Sequence, residues 1–69
     1  SEDLDAEVIT ASGSNPEVLI DAGIRGADIL LAVTDSDETN LAACLMADLI
    51  SPTTRKLARI RTSEFDPYH

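Results

Sequence analysis

Three short segments have patterns of apolar and polar residues that each predict a β-strand. Residues 7–11 are rich in β-branched side chains and are followed by turn formers. Residues 28–33 are almost continuously apolar, which indicates a strand covered on both faces, as in a parallel sheet. Residues 57–61 alternate apolar and basic side chains, which is typical of a strand with one polar face.

Turn-forming residues between the first two segments predict a short helix. Ser14 or Asn15 can accept a hydrogen bond from its first turn, and Pro16 suits the first helical position, where no amide donor is needed. Gly23 is a natural residue at the C-terminal end of such a helix. We expect this helix to connect the first two strands.

A longer helix is predicted between the second and third strands, beginning after Ser36 or Asp37 and reaching Ile50. A helix that packs only on its own sheet needs one apolar stripe, whereas residues 41–50 contain one polar side chain in ten. The pattern therefore favours self-association through residues 41–50 or cover by another layer. An alanine-rich surface helix is the alternative.

The order strand, helix, strand, helix, strand predicts an α/β chain with parallel strands and right-handed crossovers. Residues 1–69 form one small domain at most, and a domain of this size buries only about 60% of its unfolded surface. The single cysteine excludes an internal disulfide. We therefore expect the chain to associate with another copy, either through the longer helix or by strand pairing through residues 7–11.

The chain carries 13 acidic and 5 basic residues, and its formal net charge is −8. This balance argues against a nucleic-acid surface, because phosphate backbones would be repelled. Four of the basic residues lie within residues 55–61, where a small anion could still bind. The apolar runs are too short to cross a bilayer and no signal peptide is recognisable, which predicts a cytoplasmic protein without direct membrane insertion.

Ligands of open parallel sheets bind beyond the carboxyl ends of the strands, and three segments of this chain are expected there. They are residues 11–15, 34–37 and 61–64. Hydroxyl and carboxylate groups in the first two segments can hydrogen-bond a ribose or a base. Ordinary turn and helix-capping chemistry is the alternative explanation for Thr34 and Asp37.

Arg59 and Arg61 are two positions apart on the third predicted strand, so their side chains are expected on one face. Two guanidinium groups on one face can hold a phosphate or a carboxylate by paired hydrogen bonds. Ion pairs within the chain, to acids such as Glu64 or Asp66, are the alternative.

Three segments resemble the regulator-of-potassium-conductance (RCK or KTN) family of nucleotide-binding domains. Residues 32–40 match its AVT-x-x-DE-x-N motif and are followed by Leu-Ala-Ala. Residues 14–23 resemble the family's preceding helix, and residues 58–61 resemble its next strand. The resemblance spans about residues 4–65 and is greatest to the peripheral nucleotide-binding subunits of bacterial Trk potassium uptake systems.

The resemblance implies a Rossmann-like domain that binds NAD(H), ATP or ADP and controls a membrane potassium transporter or channel subunit. It implies that Ser12 follows the family's third strand near the adenosine. Thr34 and Asp35 would follow the fourth strand beside the nucleotide. Arg59 and Arg61 would lie on the fifth strand near the phosphates.

The family pattern also includes elements that these residues do not contain. Members begin with a strand, a Gly-x-Gly-x-x-Gly turn, a helix and a second strand that ends in an acidic residue, and these elements hold the diphosphate and the ribose. Ala11 and Ser12 also stand where many members have Gly-Asp. We therefore expect a partial Rossmann-like domain, cut or proteolysed, that binds nucleotide weakly on its own.

The family's strand order is 3-2-1-4-5, and the strands retained here correspond to the third, fourth and fifth. The first strand of this chain would then be separated from its second by two strands that are missing. Either another chain fills the gap, or the first strand pairs with a new neighbour.

Three functions are compatible with these patterns, and a regulatory nucleotide-binding module is favoured. A fragment of an NAD-dependent dehydrogenase would need a catalytic acid or base, but the sequence has no Ser-His-Asp set, no paired cysteines and no recognisable metal site. An assembly module with a vestigial nucleotide site would rely on the apolar helix alone.

Overall fold

The computed structural model describes residues 5–62 and contains one three-stranded parallel sheet with helices in its connections. The elements, in chain order, are β1 (Val8–Thr10), α1 (Pro16–Asp21), a short 3-10 turn (Ile24–Gly26), β2 (Ile29–Ala32), α2 (Asp37–Ile50) and β3 (Arg55–Ala58). The predicted α/β order and the parallel strand direction are confirmed.

The strand order is β1-β2-β3, so β2 is the central strand and β1 pairs with it directly. Val8 lies opposite Ile29, and Ile29 lies opposite Arg55 on the other side. Of the two alternatives for the first strand, the structure therefore has the new neighbour. The pairing satisfies backbone groups of β1 that would otherwise have no ladder partner among the described residues.

Local hydrogen bonds set the ends of α1 where the sequence predicts them. The side-chain oxygen of Asn15 accepts a 2.8 Å hydrogen bond from the amide of Glu17, and Pro16 occupies the first helical position. Gly23 follows the helix with φ of 97°, in the left-handed region that side chains with a Cβ disfavour. The chain can therefore turn sharply towards β2.

The ends of α2 are held by Ser36 and Lys56. The Ser36 hydroxyl oxygen accepts a 3.1 Å hydrogen bond from the amide of Thr39, so Ser36 rather than Asp37 is the N-cap. At the other end, Lys56 Nζ donates to the carbonyls of Ser51 and Pro52 at 2.9 and 3.2 Å. A lysine cation there complements the negative end of the helix dipole and ties α2 to β3.

The core lies on one face of the sheet, under α1 and α2. Alanine supplies more than half of its fully buried members, which lets the backbone of α2 approach β2 closely. The core residues are Ala11, Leu19, Ile24, Leu30, Ala32, Ala43 and Ala47.

The prediction that β2 is covered on both faces is wrong for the described residues. Ile29 and Leu31 are only half-buried, and their neighbours Val8 and Leu57 are 47% and 51% exposed. In the order β1-β2-β3, each strand lies on the same side of the strand before it. Right-handed crossovers then place both helices on the same face of the sheet. The other side, which carries these four apolar side chains, is therefore uncovered in residues 5–62.

Helix α2 also presents apolar side chains away from the sheet. Ala43 and Ala47 are buried, whereas Leu45 and Leu49 are 71% and 78% exposed. The predicted excess of apolar surface on this helix is confirmed in residues 5–62. No helix among these residues has both the length and the apolar character needed to cross a membrane.

The third strand is shorter and earlier than predicted. It ends at Ala58, so Arg59 and Arg61 lie beyond it rather than on one strand face. The ladder continues for one more bond, from the Arg59 amide to the Ala32 carbonyl at 2.9 Å. Past that point β2 has ended, and no parallel backbone remains for β3 to follow.

We predict that Thr54→Val destabilises the fold by about 1–3 kcal/mol, because a buried hydroxyl that bridges two elements is lost. Thr54 Oγ1 donates to the Ala27 carbonyl at 2.9 Å and lies 2.7 Å from the Ser51 hydroxyl. Urea denaturation measures the change. The exposed neighbour Thr53 provides the matched control, Thr53→Val, and equal losses in both variants would contradict the assignment.

Candidate functional site

The loop after β2 is organised around the side chain of Asn40 in the first turns of α2. Its Oδ1 accepts hydrogen bonds from the amide and the hydroxyl of Thr34, at 2.8 and 2.7 Å. Its Nδ2 donates to the carbonyls of Thr34 and Arg59, at 3.1 and 2.8 Å. The ends of β2 and β3 are therefore joined through one residue of α2.

The guanidinium group of Arg59 lies against the end of β2. Its Nη2 donates to the carbonyls of Val33 and Thr34, at 2.8 and 2.9 Å. The same nitrogen is 3.6 Å from the Asp35 carboxylate. These partners occupy one edge of the group, and its other N–H donors have no partner among residues 5–62. Those donors can therefore bind a ligand.

Arg61 reaches the same loop from two residues further along the chain. Its Nη2 donates to the Asp35 carbonyl at 2.8 Å and lies 4.0 Å from the Asp35 carboxylate. The side chains of Arg59 and Arg61 therefore both approach Asp35, although neither residue lies on a strand. The Asp35 side chain is 99% exposed, so its two ion pairs are exposed pairs that contribute little stability.

Asp37 fastens the segment after β3 to the start of α2. Its carboxylate accepts hydrogen bonds from the amides of Arg61, at 3.1 Å, and Thr62, at 2.7 Å. Hydrogen bonds from the Thr62 side chain and from the Arg61 and Thr62 backbone lower the pKa of Asp37 below its ordinary value of 3.8, against a smaller opposing effect of desolvation. The carboxylate is thus held ionised beside the arginines.

The four residues Thr34, Asp35, Arg59 and Arg61 therefore form one open surface at the carboxyl edge of the sheet, termed here the arginine edge. It holds two guanidinium groups and, with Asp37, two carboxylates. The arrangement can bind a small anion through the arginine N–H donors that have no partner within residues 5–62, provided that the Asp35 carboxylate turns away. No enclosing pocket is formed around it by the part of the chain that is described.

Comparison with known protein families gives a match over the whole chain. The model of the TrkA-N domain matches residues 1–69. The chain belongs to the TrkA-N domain family.

Several curated relatives of this TrkA-N chain carry the name Trk system potassium uptake protein TrkA. The protein from Vibrio alginolyticus is 46% identical over 61 residues, and the one from Haemophilus influenzae is 48% identical over 61 residues. Each alignment covers 88% of this chain and 13% of the relative. A homologue from Methanosarcina mazei is 35% identical over 71 residues, which cover 94% of this chain and 17% of the relative. The chain thus spans about one eighth of the first two relatives' length.

Ser12 is the one candidate that the structure does not bring to the arginine edge. It is exposed and follows β1, on the far side of β2 from Arg59. Within residues 5–62, no hydrogen bond joins its side chain to the other four candidates. All five residues therefore lie at the carboxyl end of the sheet. Four of them form the arginine edge, and the Ser12 hydroxyl lies apart from it.

The alternatives for the arginines and for Thr34 and Asp37 are partly realised. The arginines do pair within the chain, but with Asp35, whereas Glu64 and Asp66 lie outside the described residues. Thr34 makes a turn contact, because its hydroxyl accepts a 3.2 Å hydrogen bond from the Ser36 amide. Asp37 does not cap α2 and binds the amides of Arg61 and Thr62 instead.

Sequence reasoning missed Asn40 and Asp37 as organisers of the TrkA-N site. Both are letters of the AVT-x-x-DE-x-N motif, and Asn40 also lies three and seven positions before Ala43 and Ala47, on the buried face of α2. That second signal is general, because a polar residue on the buried face of a helix must find partners.

Other chemically active side chains show no site of their own. Cys44 packs against the core, and burial raises the pKa of its thiol. Among residues 5–62 there is no cluster of three side chains that could hold a metal ion.

We predict that Asp37→Asn removes a pH-dependent part of the stability. Because the pKa of Asp37 is lowered on folding, its stabilising effect is complete above its unfolded value near 3.8. It is lost as the pH falls through the lower folded value. Urea midpoints of the two proteins should therefore differ near neutral pH and converge in acid.

The control is Glu38→Gln, which removes a charge from the exposed neighbouring position. Its urea midpoint should stay close to that of the wild type near neutral pH. A constant difference between wild type and Asp37→Asn across the acid range would contradict the role given to the Asp37 carboxylate.

Proposed function

We propose that this TrkA-N chain is part of a regulatory nucleotide-binding module of a potassium transport system. The single observation that carries the proposal is the arginine edge, two guanidinium groups brought together with Thr34 and Asp35 at the carboxyl end of a parallel sheet. Such edges are where open α/β sheets bind ligands. The names of the relatives supply the physiological setting, potassium uptake.

The proposed ligand is NAD(H), ATP or ADP. The N–H donors of Arg59 and Arg61 that have no partner in the described part of the chain suit phosphate oxygens, which they can bind in pairs. The exposed hydroxyl of Ser12, which follows β1 on the far side of β2 from the arginines, suits the ribose or the base. Asp35 would exchange its contact with the arginines for the ribose hydroxyls when phosphate enters.

The proposed mechanism is regulation of a membrane potassium transporter or channel subunit from the cytoplasmic side. In this mechanism a nucleotide binds one arrangement of the assembled domains more tightly than another and so raises the fraction of that arrangement. The difference in affinity sets the size of the shift, which biases the state of the attached transporter. The module itself performs no chemistry in this proposal. Its side chains at the arginine edge bind and neutralise charge, and none is paired as a nucleophile and base.

We predict that Arg59→Ala or Arg61→Ala, made in the full-length protein that carries this chain, lowers the affinity for ATP by about tenfold. The affinity for adenosine should fall much less. The reason is the loss of one charge-assisted contact to phosphate, which is worth roughly 1.5–3 kcal/mol. Isothermal titration calorimetry with ATP and adenosine measures both affinities.

Arg55→Ala is the matched control, because Arg55 is an exposed arginine at the opposite end of β3. It should change neither affinity. Equal losses for ATP and adenosine in the Arg59 or Arg61 variant would argue against a phosphate contact.

We infer a second role, self-association, from the outward face of α2. Leu45 and Leu49 are one helical turn apart and mostly exposed, and Leu41 continues the same stripe. Burying apolar surface gains about 25 cal/mol per Å², so covering a few such side chains favours contact between copies. The uncovered face of the sheet offers a second apolar surface, but its edge strand β1 is only three residues long.

We predict that Leu45→Asp or Leu49→Asp lowers the apparent mass in sedimentation velocity, because a charge would be buried in the contact between copies. Thr53→Asp adds the same charge at an exposed position just beyond the helix and should leave the mass unchanged. A concentration-independent monomer in the wild type would rule out the self-association.

A further inference from the structure

Asn40 is a fully buried polar residue directly beneath the arginine edge, with 0% of its surface exposed. The proposed contacts with ligand do not include it. We propose that Asn40 is a positioning residue that presents the Arg59 guanidinium to phosphate. This inference rests on the proposed function, because the phosphate contact is assigned there.

The hydrogen-bonding capacity of the Asn40 side chain is completely used. A carboxamide has two acceptor lone pairs and two N–H donors. Both acceptor positions are taken by Thr34 groups, and both donors reach carbonyl oxygens. The orientation of the Asn40 carboxamide is unambiguous. The backbone N–H of Thr34 must face Oδ1, and the carbonyls of Thr34 and Arg59 must face Nδ2.

These contacts hold Arg59 at both of its ends. At the backbone, its N–H donates to the Ala32 carbonyl, and its carbonyl accepts from Asn40 at 2.8 Å. At the side chain, the guanidinium donates to the Thr34 carbonyl at 2.9 Å, and this oxygen also accepts from Asn40 at 3.1 Å. Asn40 therefore orients the carbonyl that anchors the guanidinium as well as the backbone from which that side chain extends.

A bound anion needs this support because Arg59 is otherwise a long, exposed side chain. Ordering such a side chain at binding costs rotamer entropy. A guanidinium already held against Val33 and Thr34 has lost most of that freedom before the ligand arrives. Within residues 5–62 Arg61 lacks this support, since its guanidinium contacts the exposed Asp35 and none of the groups bonded to Asn40.

A substitution that keeps the shape of Asn40 but removes its donors separates positioning from packing. In Asn40→Asp the two carbonyls of Thr34 and Arg59 would face a carboxylate oxygen instead of an N–H group. The Thr34 carbonyl would turn away, and the Arg59 guanidinium would lose its anchor. A purely structural Asn40 would instead affect all ligands and all parts of the edge alike.

The test uses the full-length protein and two readouts. Without ligand, the NMR signal of the Arg59 side-chain Nε–H is compared between wild type, Asn40→Asp and the charge control Thr53→Asp. With ligand, calorimetry gives the affinities for ATP and adenosine in the same proteins, in Arg59→Ala, and in the double variant of Asn40 and Arg59.

We expect Asn40→Asp to shift the NMR signal of the Arg59 Nε–H. We also expect it to lower the affinity for ATP by about threefold to tenfold, with the affinity for adenosine nearly unchanged. The effect on ATP should disappear in the Arg59→Ala background, because Asn40 acts through that side chain. Thr53→Asp should reproduce neither change. Should Asn40→Asp fail to fold, Thr34→Val, which removes one donor to Asn40, is expected to shift the Arg59 signal in the same direction.

Three results would overturn the inference. The first is an Arg59 NMR signal that Asn40→Asp does not shift, and the second is an equal loss of affinity for ATP and adenosine in that variant. The third is an effect of Asn40→Asp on ATP affinity that is as large in the Arg59→Ala background as in the wild type. If Arg59→Ala weakens ATP but Asn40→Asp does not, the inference fails and the proposed function stands. If Arg59→Ala itself leaves ATP affinity unchanged, the phosphate contact fails. The ligand-free signal then decides alone whether Asn40 positions Arg59.

Discussion

The close approach of α2 to the central strand β2 is the constraint on which the rest of the structure depends. Asn40, Ala43 and Ala47 lie on one side of the helix and are fully buried. The two alanines let the helix backbone descend onto Leu30 and Ala32, and the asparagine, at the same depth, meets the end of the strand. Larger residues at 43 or 47 would lift the helix and separate Asn40 from Thr34.

From that contact follows the geometry of the arginine edge. Because the first turns of α2 stand beside the ends of β2 and β3, Asn40 and Asp37 can bind the backbone of both flanking segments. The arginines then extend over a loop whose carbonyls are already oriented. The result is a charged but nearly neutral surface, in which an arriving anion competes with the Asp35 carboxylate rather than entering an empty positive pocket.

The same packing leaves two apolar surfaces uncovered among the described residues. One is the outer side of α2 and the other is the open face of the sheet. The core cluster within residues 5–62 has seven buried members, four of them alanine, which leaves this part of the chain little apolar burial to spare. Contacts made through these surfaces would therefore contribute to stability as well as to assembly, which couples association to folding in this chain.

Much of the fold could be predicted from local patterns. The Asn15-Pro16 cap, the left-handed Gly23 and the extent of α2 depend on interactions within a few residues, so the sequence alone determined them. The placement of Thr34, Asp35 and Arg61 at one end of the sheet also followed, because parallel strands align their carboxyl ends, whereas Arg59 was expected within the third strand. Tertiary structure alone decided that β1 pairs with β2, that one sheet face stays open, and that β3 ends before the arginines. It also made Asn40 the joint between two strands. These features depend on which backbone groups find partners across long sequence separations, and such partners are set by packing rather than by local pattern.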